Sequence, residues 1–239
     1  MTINWVGLDA DDTLWHTETH FKESYRQFAD IVAPYLCDVV DVHQAAHDLL
    51  IETERRNVVS FGYGIKGATL SMIEAALEAS DRQISGDEVY QLLERSKWMM
   101  THPVVLLEGV HQALETLGRY RLIMITKGDL VDQRRKIAES NLAHYFDVIE
   151  ITPDKDATTY AELLGRHGIA ADEFVMIGNS LKSDIVPVLE IGGWAVHVPY
   201  ELTWALEEAD LPVAHHAFRH AANLVEAAAG VHEIDATGH

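Results

Sequence analysis

Short apolar runs, each cut off by polar or turn residues and separated by long stretches of helical period, constrain this chain more than any other feature. Val6-Gly7-Leu8 ends at Asp9-Ala10-Asp11-Asp12-Thr13, and residues 122–125 end at Thr126-Lys127-Gly128-Asp129. Residues 147–151 lead into Thr152-Pro153-Asp154-Lys155, and residues 174–177 end at Gly178-Asn179-Ser180, with Asp184 close behind. Residues 193–199 read as a fifth strand. β-rich runs alternating with helical segments specify a parallel sheet in an α/β fold. Ligands of such sheets bind outside the carboxyl ends of the strands, where this chain places Asp, Thr, Lys and Asn side chains.

Asp9 and Asp11 stand at the first of these ends. Two carboxylates so placed can share a divalent cation or divide nucleophilic and acid/base roles. The competing reading is a loop in which Asp12 or Thr13 caps the next helix.

Between Leu14 and Pro103 the strand pattern lapses. Phe21, Tyr25, Phe28 and Val32 form one helical stripe and Val42, Ala45, Leu49 and Thr53 another. A further helix runs over residues 68–79, and Ser85-Gly86-Asp87-Glu88 has the form of a capping box opening the next. A helical insertion over residues 15–102 thus interrupts a core formed by residues 1–14 and 103–239.

The ordered set Asp9-x-Asp11-x-Thr13, strand-end Thr126, Lys155 and Gly178-Asn179-x-x-x-x-Asp184 resembles the motifs of the haloacid dehalogenase (HAD) superfamily over nearly the whole chain. The resemblance implies a doubly wound parallel Rossmann-like sheet with an inserted all-helical cap domain. It also implies a catalytic centre. Asp9 would be the nucleophile that forms an aspartyl-phosphate, and Asp11 the acid/base. Thr126 would bind a phosphoryl oxygen, the Lys127 and Gly128 backbone would lie nearby, and Lys155 would neutralise charge. Lys155 also reads as an exposed loop lysine. Mg²⁺ is the implied cofactor, held by Asp9, the Asp11 carbonyl and Asn179, with Asp184 in support. Most relatives carry Asp where this chain has Asn179, so weaker metal binding is expected. Dehalogenases of the family lack a carboxylate at the position of Asp11, which favours phosphoryl chemistry. The expected activity is a Mg²⁺-dependent phosphatase acting on a small phosphorylated metabolite; a phosphomutase and a non-enzymatic phosphate-binding protein remain as alternatives.

Within the insertion, Arg55 to Gly67 gathers three cations, two aromatics and three glycines. Arg56, Tyr63 and Lys66 are candidates for contacting an anionic substrate. The same segment also reads as a solvated turn between helices. Trp15 and His16 could line the pocket. Arg134-Arg135-Lys136 reads as a solvated helix face, Lys182 as a surface lysine or a partner of Asp184, and His197 as a core histidine. Trp204 either walls the pocket or covers the sheet edge. His216 and His220, beside His215, have helical spacing but lack the further ligand a zinc site needs.

Composition narrows the partners. A net charge of −20 argues against a nucleic-acid backbone or an anionic membrane as the main partner. One cysteine, Cys37, cannot form an internal disulfide and suits a small core residue in a reducing cytoplasm. No apolar run reaches the length of a membrane span. No surface stripe separable from the core specifies an oligomeric state.

Overall fold

The computed structural model describes residues 2–36, 39–202, 204–207 and 209–237; Cys37 lies outside them. The strands are β1 (Trp5–Leu8), β2 (Arg121–Lys127), β3 (Val148–Thr152), β4 (Phe174–Gly178), β5 (Trp194–His197) and β6 (Phe218–His220). The helices are α1 (Glu18–Val32), α2 (Val42–Phe61), α3 (Ile65–Ala79), α4 (Gly86–Thr101), α5 (Val110–Thr116), α6 (Leu130–Ser140), α7 (Ala157–Arg166), α8 (Val186–Glu190) and α9 (Leu224–Thr237). The chain divides into two compact units, one of residues 1–16, 104–127 and 133–239, the other of residues 17–103 and 128–132. No described helix is long and apolar enough to cross a membrane.

The first unit is built on a parallel sheet in the order β3-β2-β1-β4-β5-β6. β1 is paired on both sides, with Leu8 opposite Met124 and Ile177. That central place explains why all of β1 and β4 is buried. Strand period divides the core into two layers. Val6, Leu8, Leu122, Met124, Val175 and Ile177 pack with Val110 and Leu114 of α5 and Ala227 and Val231 of α9. Trp5, Ile123, Ile125, Phe174 and Met176 face Tyr160, Leu163 and Leu164 of α7 and Val188 of α8. The strand order reverses beside β1, which opens a crevice at the carboxyl ends of β1 and β4.

The sixth strand corrects the sequence expectation. Phe218–His220 pairs in parallel with β5 through Ala195–Phe218, Val196–Arg219 and His197–His220. Three residues among histidines carry no apolar run to announce a strand. His216 and His220 therefore do not share a helix face, and no group of three His, Cys, Asp or Glu side chains able to hold a metal occurs among the described residues.

In the second unit, α1 to α4 enclose Phe28, Val32, Ala46, Leu50, Met72, Ala75 and Leu92. The buried residues of α2 are Ala46, Leu50, Ile51, Thr53 and Glu54; of the expected stripe Thr53 is buried and Leu49 packs half-buried against this core. Glu54 accepts the Tyr25 hydroxyl at 2.9 Å. The capping box forms as expected, Glu88 N donating to Ser85 Oγ at 3.2 Å and Ser85 N to Glu88 Oε2 at 2.7 Å. Phe28 is fully buried, so Phe28→Ala is expected to destabilise the fold by about 3–5 kcal/mol. Urea denaturation measures this, and an unmoved midpoint contradicts the packing described.

Candidate active site

The strand ends deliver their side chains through local hydrogen bonding. Asp9 N donates to Ile177 O at 2.9 Å, continuing the β1–β4 ladder one residue past the strand. The chain then turns sharply. Leu14 N donates to Ala10 O at 2.8 Å and Asp12 N to Trp15 O at 2.7 Å. Asp12 adopts φ 62°, a left-handed conformation that Asp tolerates better than most residues. The turn brings Thr13 Oγ1 back to donate to Asp9 Oδ2 at 3.0 Å. Neither Asp12 nor Thr13 caps a helix, because α1 begins only at Glu18.

Asp9 is buried and shares Lys155 with Asp184. Lys155 Nζ lies 2.5 Å from Asp9 Oδ1 and 2.7 Å from Asp184 Oδ1. The lysine is 4% exposed, which removes the loop-lysine alternative. Its loop is braced by Thr152 Oγ1 donating to Asp154 O and by Lys155 N donating to Asp154 Oδ1, both at 2.8 Å. Asp184 is anchored by Ser180 N, which donates to Oδ2 at 3.0 Å. Gly178 makes the room, since a Cβ there would stand 2.3 Å from that oxygen. Burial pushes the Asp9 carboxyl up to about 7, with Lys155 opposing and Asp184 adding to the rise. Burial alone would lower the Lys155 ammonium, but Asp184 and Asp9 hold it well above the ordinary lysine value.

Asp11 is clamped separately. Its carboxylate accepts from Trp15 Nε1 at 2.6 Å, Gln133 Nε2 at 2.7 Å and Lys136 Nζ at 2.7 and 2.8 Å. Two expectations change here. Lys136 is not on a solvated face; it is 7% exposed and pairs with Asp11 through both carboxylate oxygens. Trp15 is fully buried, so it orients Asp11 from the core rather than lining an open pocket. Only Arg134, exposed on α6, behaves as expected of that cationic run. His16 Nδ1 lies 2.7 Å from the Tyr200 hydroxyl.

Asn179 faces oxygens. With its amide oriented to satisfy them, Nδ2 donates to Asp11 O at 3.2 Å and to Thr13 Oγ1 and Asp9 Oδ2 at 3.3 Å. Its backbone carbonyl accepts from His197 Nε2 at 3.0 Å. Burial holds the His197 imidazole below its ordinary value, as befits a neutral core histidine. An Asp9 carboxylate oxygen, the Asp11 carbonyl and the Asn179 amide therefore meet at one place. This is the all-oxygen donor set a hard cation prefers, once the amide presents its oxygen.

Thr126 is fully buried at the end of β2, and its Oγ1 has no hydrogen-bond partner. Gly128, two residues on, adopts φ 141°, which a side chain would resist. Lys127 points its ammonium to Ser183 Oγ at 2.8 Å and to the Glu207 carboxylate. Glu207 was not among the residues expected here. No motif announces it, because its partners lie 24 to 80 residues away. Lys182 donates to Leu206 O at 2.8 Å and leaves the pairing of Asp184 to Lys155.

The three insertion candidates sit in the second unit. Arg56 pairs with Glu78 at 2.8 Å and approaches Glu74 at 3.8 Å, so its charge is matched along α2 and α3. Lys66 donates to both oxygens of Asp129, at 3.0 and 3.1 Å. Tyr63 is half-buried between Gly62 and Gly64, both at positive φ.

The fold and this set of strand-end residues define a hydrolase of the HAD type. The haloacid dehalogenase-like hydrolase family model matches residues 3–190, and the chain belongs to that family. It is similar to a haloacid dehalogenase-like family hydrolase from Xanthomonas campestris, at 38% identity over 99% of this chain and 93% of that one, with TM-score 0.85. YfnB from Bacillus subtilis, solved bound to magnesium, matches at 14% identity over 97% and 99% of the two chains with TM-score 0.65. A 2-haloacid dehalogenase from Pseudomonas syringae matches at 24% identity over 97% and 99% with TM-score 0.59. These last two share the fold. No curated protein matches the chain.

A buried hydroxyl without a protein partner has a thermodynamic signature. Thr126→Val keeps the shape and removes a buried polar group without a partner, so stability is expected to hold or rise by up to about 1 kcal/mol. Thermal denaturation checks this; a loss of several degrees means the hydroxyl already has a structural partner.

Proposed function

We propose that this hydrolase is a cytoplasmic, magnesium-dependent phosphomonoesterase acting on a small phosphorylated metabolite, with residues 15–102 as its cap. One observation carries the reading: a second carboxylate, Asp11, stands two residues after the buried Asp9 and is fixed by three side-chain donors. A halide leaves carbon as a stable anion and needs no proton. An alkoxide leaving phosphorus does, and Asp11, once protonated in exchange for its Lys136 pairing, is the group placed to deliver it.

Asp9 attacks phosphorus, the bond to the ester oxygen breaks, and Asp11 protonates that oxygen as it departs. Asp11 then takes a proton from the water that cleaves the aspartyl-phosphate, which releases inorganic phosphate and restores Asp9. Lys155 neutralises charge on Asp9 and the phosphoryl group, and Thr126 Oγ1 donates to a phosphoryl oxygen. The backbone of Lys127 and Gly128 adds donors beside it. Magnesium, held by Asp9, the Asp11 carbonyl and Asn179 with Asp184 behind them, would neutralise phosphoryl charge.

Hydrolysis of an aryl phosphate with magnesium, measured as phosphate release, is the direct test. Asp9→Asn is expected to lower kcat by about a thousandfold or more. A variant that keeps its activity, or a native chain that hydrolyses a 2-haloacid and no phosphate ester, overturns the reading. Asn179→Asp restores a full charge beside Asp9 and is expected to tighten magnesium binding severalfold. Calorimetric titration with magnesium measures it, and unchanged or weaker binding removes Asn179 from the ligand set.

A further inference from the structure

The carboxylate of Glu207 sits in a donor set of unusual composition for a loop anchor. Lys127 Nζ donates to one oxygen, and the Ser180 and Ser183 hydroxyls donate to the other. The donors are organised among themselves. Lys127 Nζ also donates to Ser183 Oγ at 2.8 Å, and Ser183 N donates to Ser180 Oγ at 3.0 Å. An ammonium and two hydroxyls thus converge on one anion, and the Glu207 side chain they enclose is 14% exposed. Burial raises its carboxyl, but Lys127 and the two serines outweigh that and hold it below the usual carboxylate range.

The address of these donors matters as much as their chemistry. Lys127 directly follows Thr126 at the end of β2, and Ser180 directly follows Asn179 at the end of β4. Lys127 also lies on the strand face of Ile123 and Ile125, the face whose helices carry Tyr160 and Val188. The occupant comes from elsewhere. Glu207 closes a three-residue turn, Ala205–Glu207, in the stretch between β5 and β6, where no longer element occurs among the described residues. One backbone and one side-chain donor brace the turn, Glu207 N to Trp204 O at 2.8 Å and Lys182 Nζ to Leu206 O at 2.8 Å.

We infer that Lys127, Ser180 and Ser183 form a second anion subsite, filled by Glu207 as an internal stand-in until the carboxylate or second phosphate of a doubly anionic phosphate ester displaces it. The substrate class rests on the phosphatase reading; the anion chemistry of the subsite does not. A substrate with a single anionic group leaves Glu207 in place. One with two exchanges an internal carboxylate for its own, and a chain carrying −20 overall gains selectivity from donors gathered at one point.

The test compares KM for an aryl phosphate, a phosphorylated hydroxy acid and a sugar bisphosphate in the native chain, Glu207→Gln and Ser183→Ala. Glu207→Gln removes the competing charge and is expected to lower KM for a doubly anionic ester, relative to the aryl phosphate, about tenfold. Ser183→Ala removes a donor and moves the same ratio about tenfold the other way. The hydroxy acid and the bisphosphate distinguish a carboxylate from a phosphate ligand. If both variants only lower the melting temperature and leave the ratio fixed, Glu207 is a structural peg and the inference fails. If no ester is turned over, calorimetry with malonate decides: tighter binding by Glu207→Gln supports the subsite while the phosphatase reading falls, and equal binding sinks the subsite.

Discussion

The site depends on one ammonium ion held between two buried carboxylates. Lys155 reaches Asp9 and Asp184 with its side chain only 2% exposed, where dehydrating three charges costs several kcal/mol for each ion before any attraction is counted. Such an arrangement persists only if the surroundings complete it. Asp184 is completed by the Ser180 N–H and by the space that Gly178 leaves, and Asp9 by the Thr13 hydroxyl and the Asn179 amide. The triad still carries one net negative charge when both acids are ionised. Burial pushes Asp9 up to about 7, Lys155 opposing the rise and Asp184 adding to it. A cation beside Asp9 would hold it ionised and nucleophilic.

Chain reversal after Asp9 follows from the same demand. The carboxylate must accept from Thr13, four residues on, so the backbone folds back through the left-handed Asp12 rather than entering a helix. Trp15 is thereby placed in the core, where its N–H meets Asp11. Two carboxylates two residues apart thus acquire separate environments, one paired with Lys155 and one with Lys136. Separation of this kind is what allows neighbouring acids to take different chemical parts.

The strands and their ends were legible in the sequence because both are local. An apolar run broken by Asp, Thr or Gly-Asn carries its own boundary, so the ends of β1, β2 and β4 could be placed, and Lys155 with them. β6 could not be placed, since its pairing with β5 owes nothing to a hydrophobic pattern in Phe218–His220. Lys136 was misjudged for a related reason. On α6 it sits in a cationic run that looks solvated, and only the distant Asp11 makes its burial tolerable. Glu207 is the extreme case, because a lone glutamate in a loop has no spacing to interpret until the fold brings Lys127 to it. Charged residues buried by long-range pairing are the part of a site that periodicity cannot show.

Three lysines, two just at or beyond strand ends and one on α6, are each matched to an internal carboxylate: Lys155 to Asp9 and Asp184, Lys136 to Asp11, Lys127 to Glu207. An incoming anion would therefore meet no bare positive charge among these three and would bind by partner exchange. Exchange of one carboxylate for another oxyanion is close to even in hydrogen bonds, so selectivity must come from what happens to the displaced group. Glu207, on a short turn, would leave toward water with its three donors passed to the incoming oxyanion. Asp9 is buried against Lys155, and in the proposed mechanism that pairing would yield as negative charge passes from the carboxylate to the phosphoryl group. The fixed pair suits chemistry and the loop-borne pair suits recognition, because interactions that change only as charge is redistributed favour the transition state, while those that exchange on arrival favour binding.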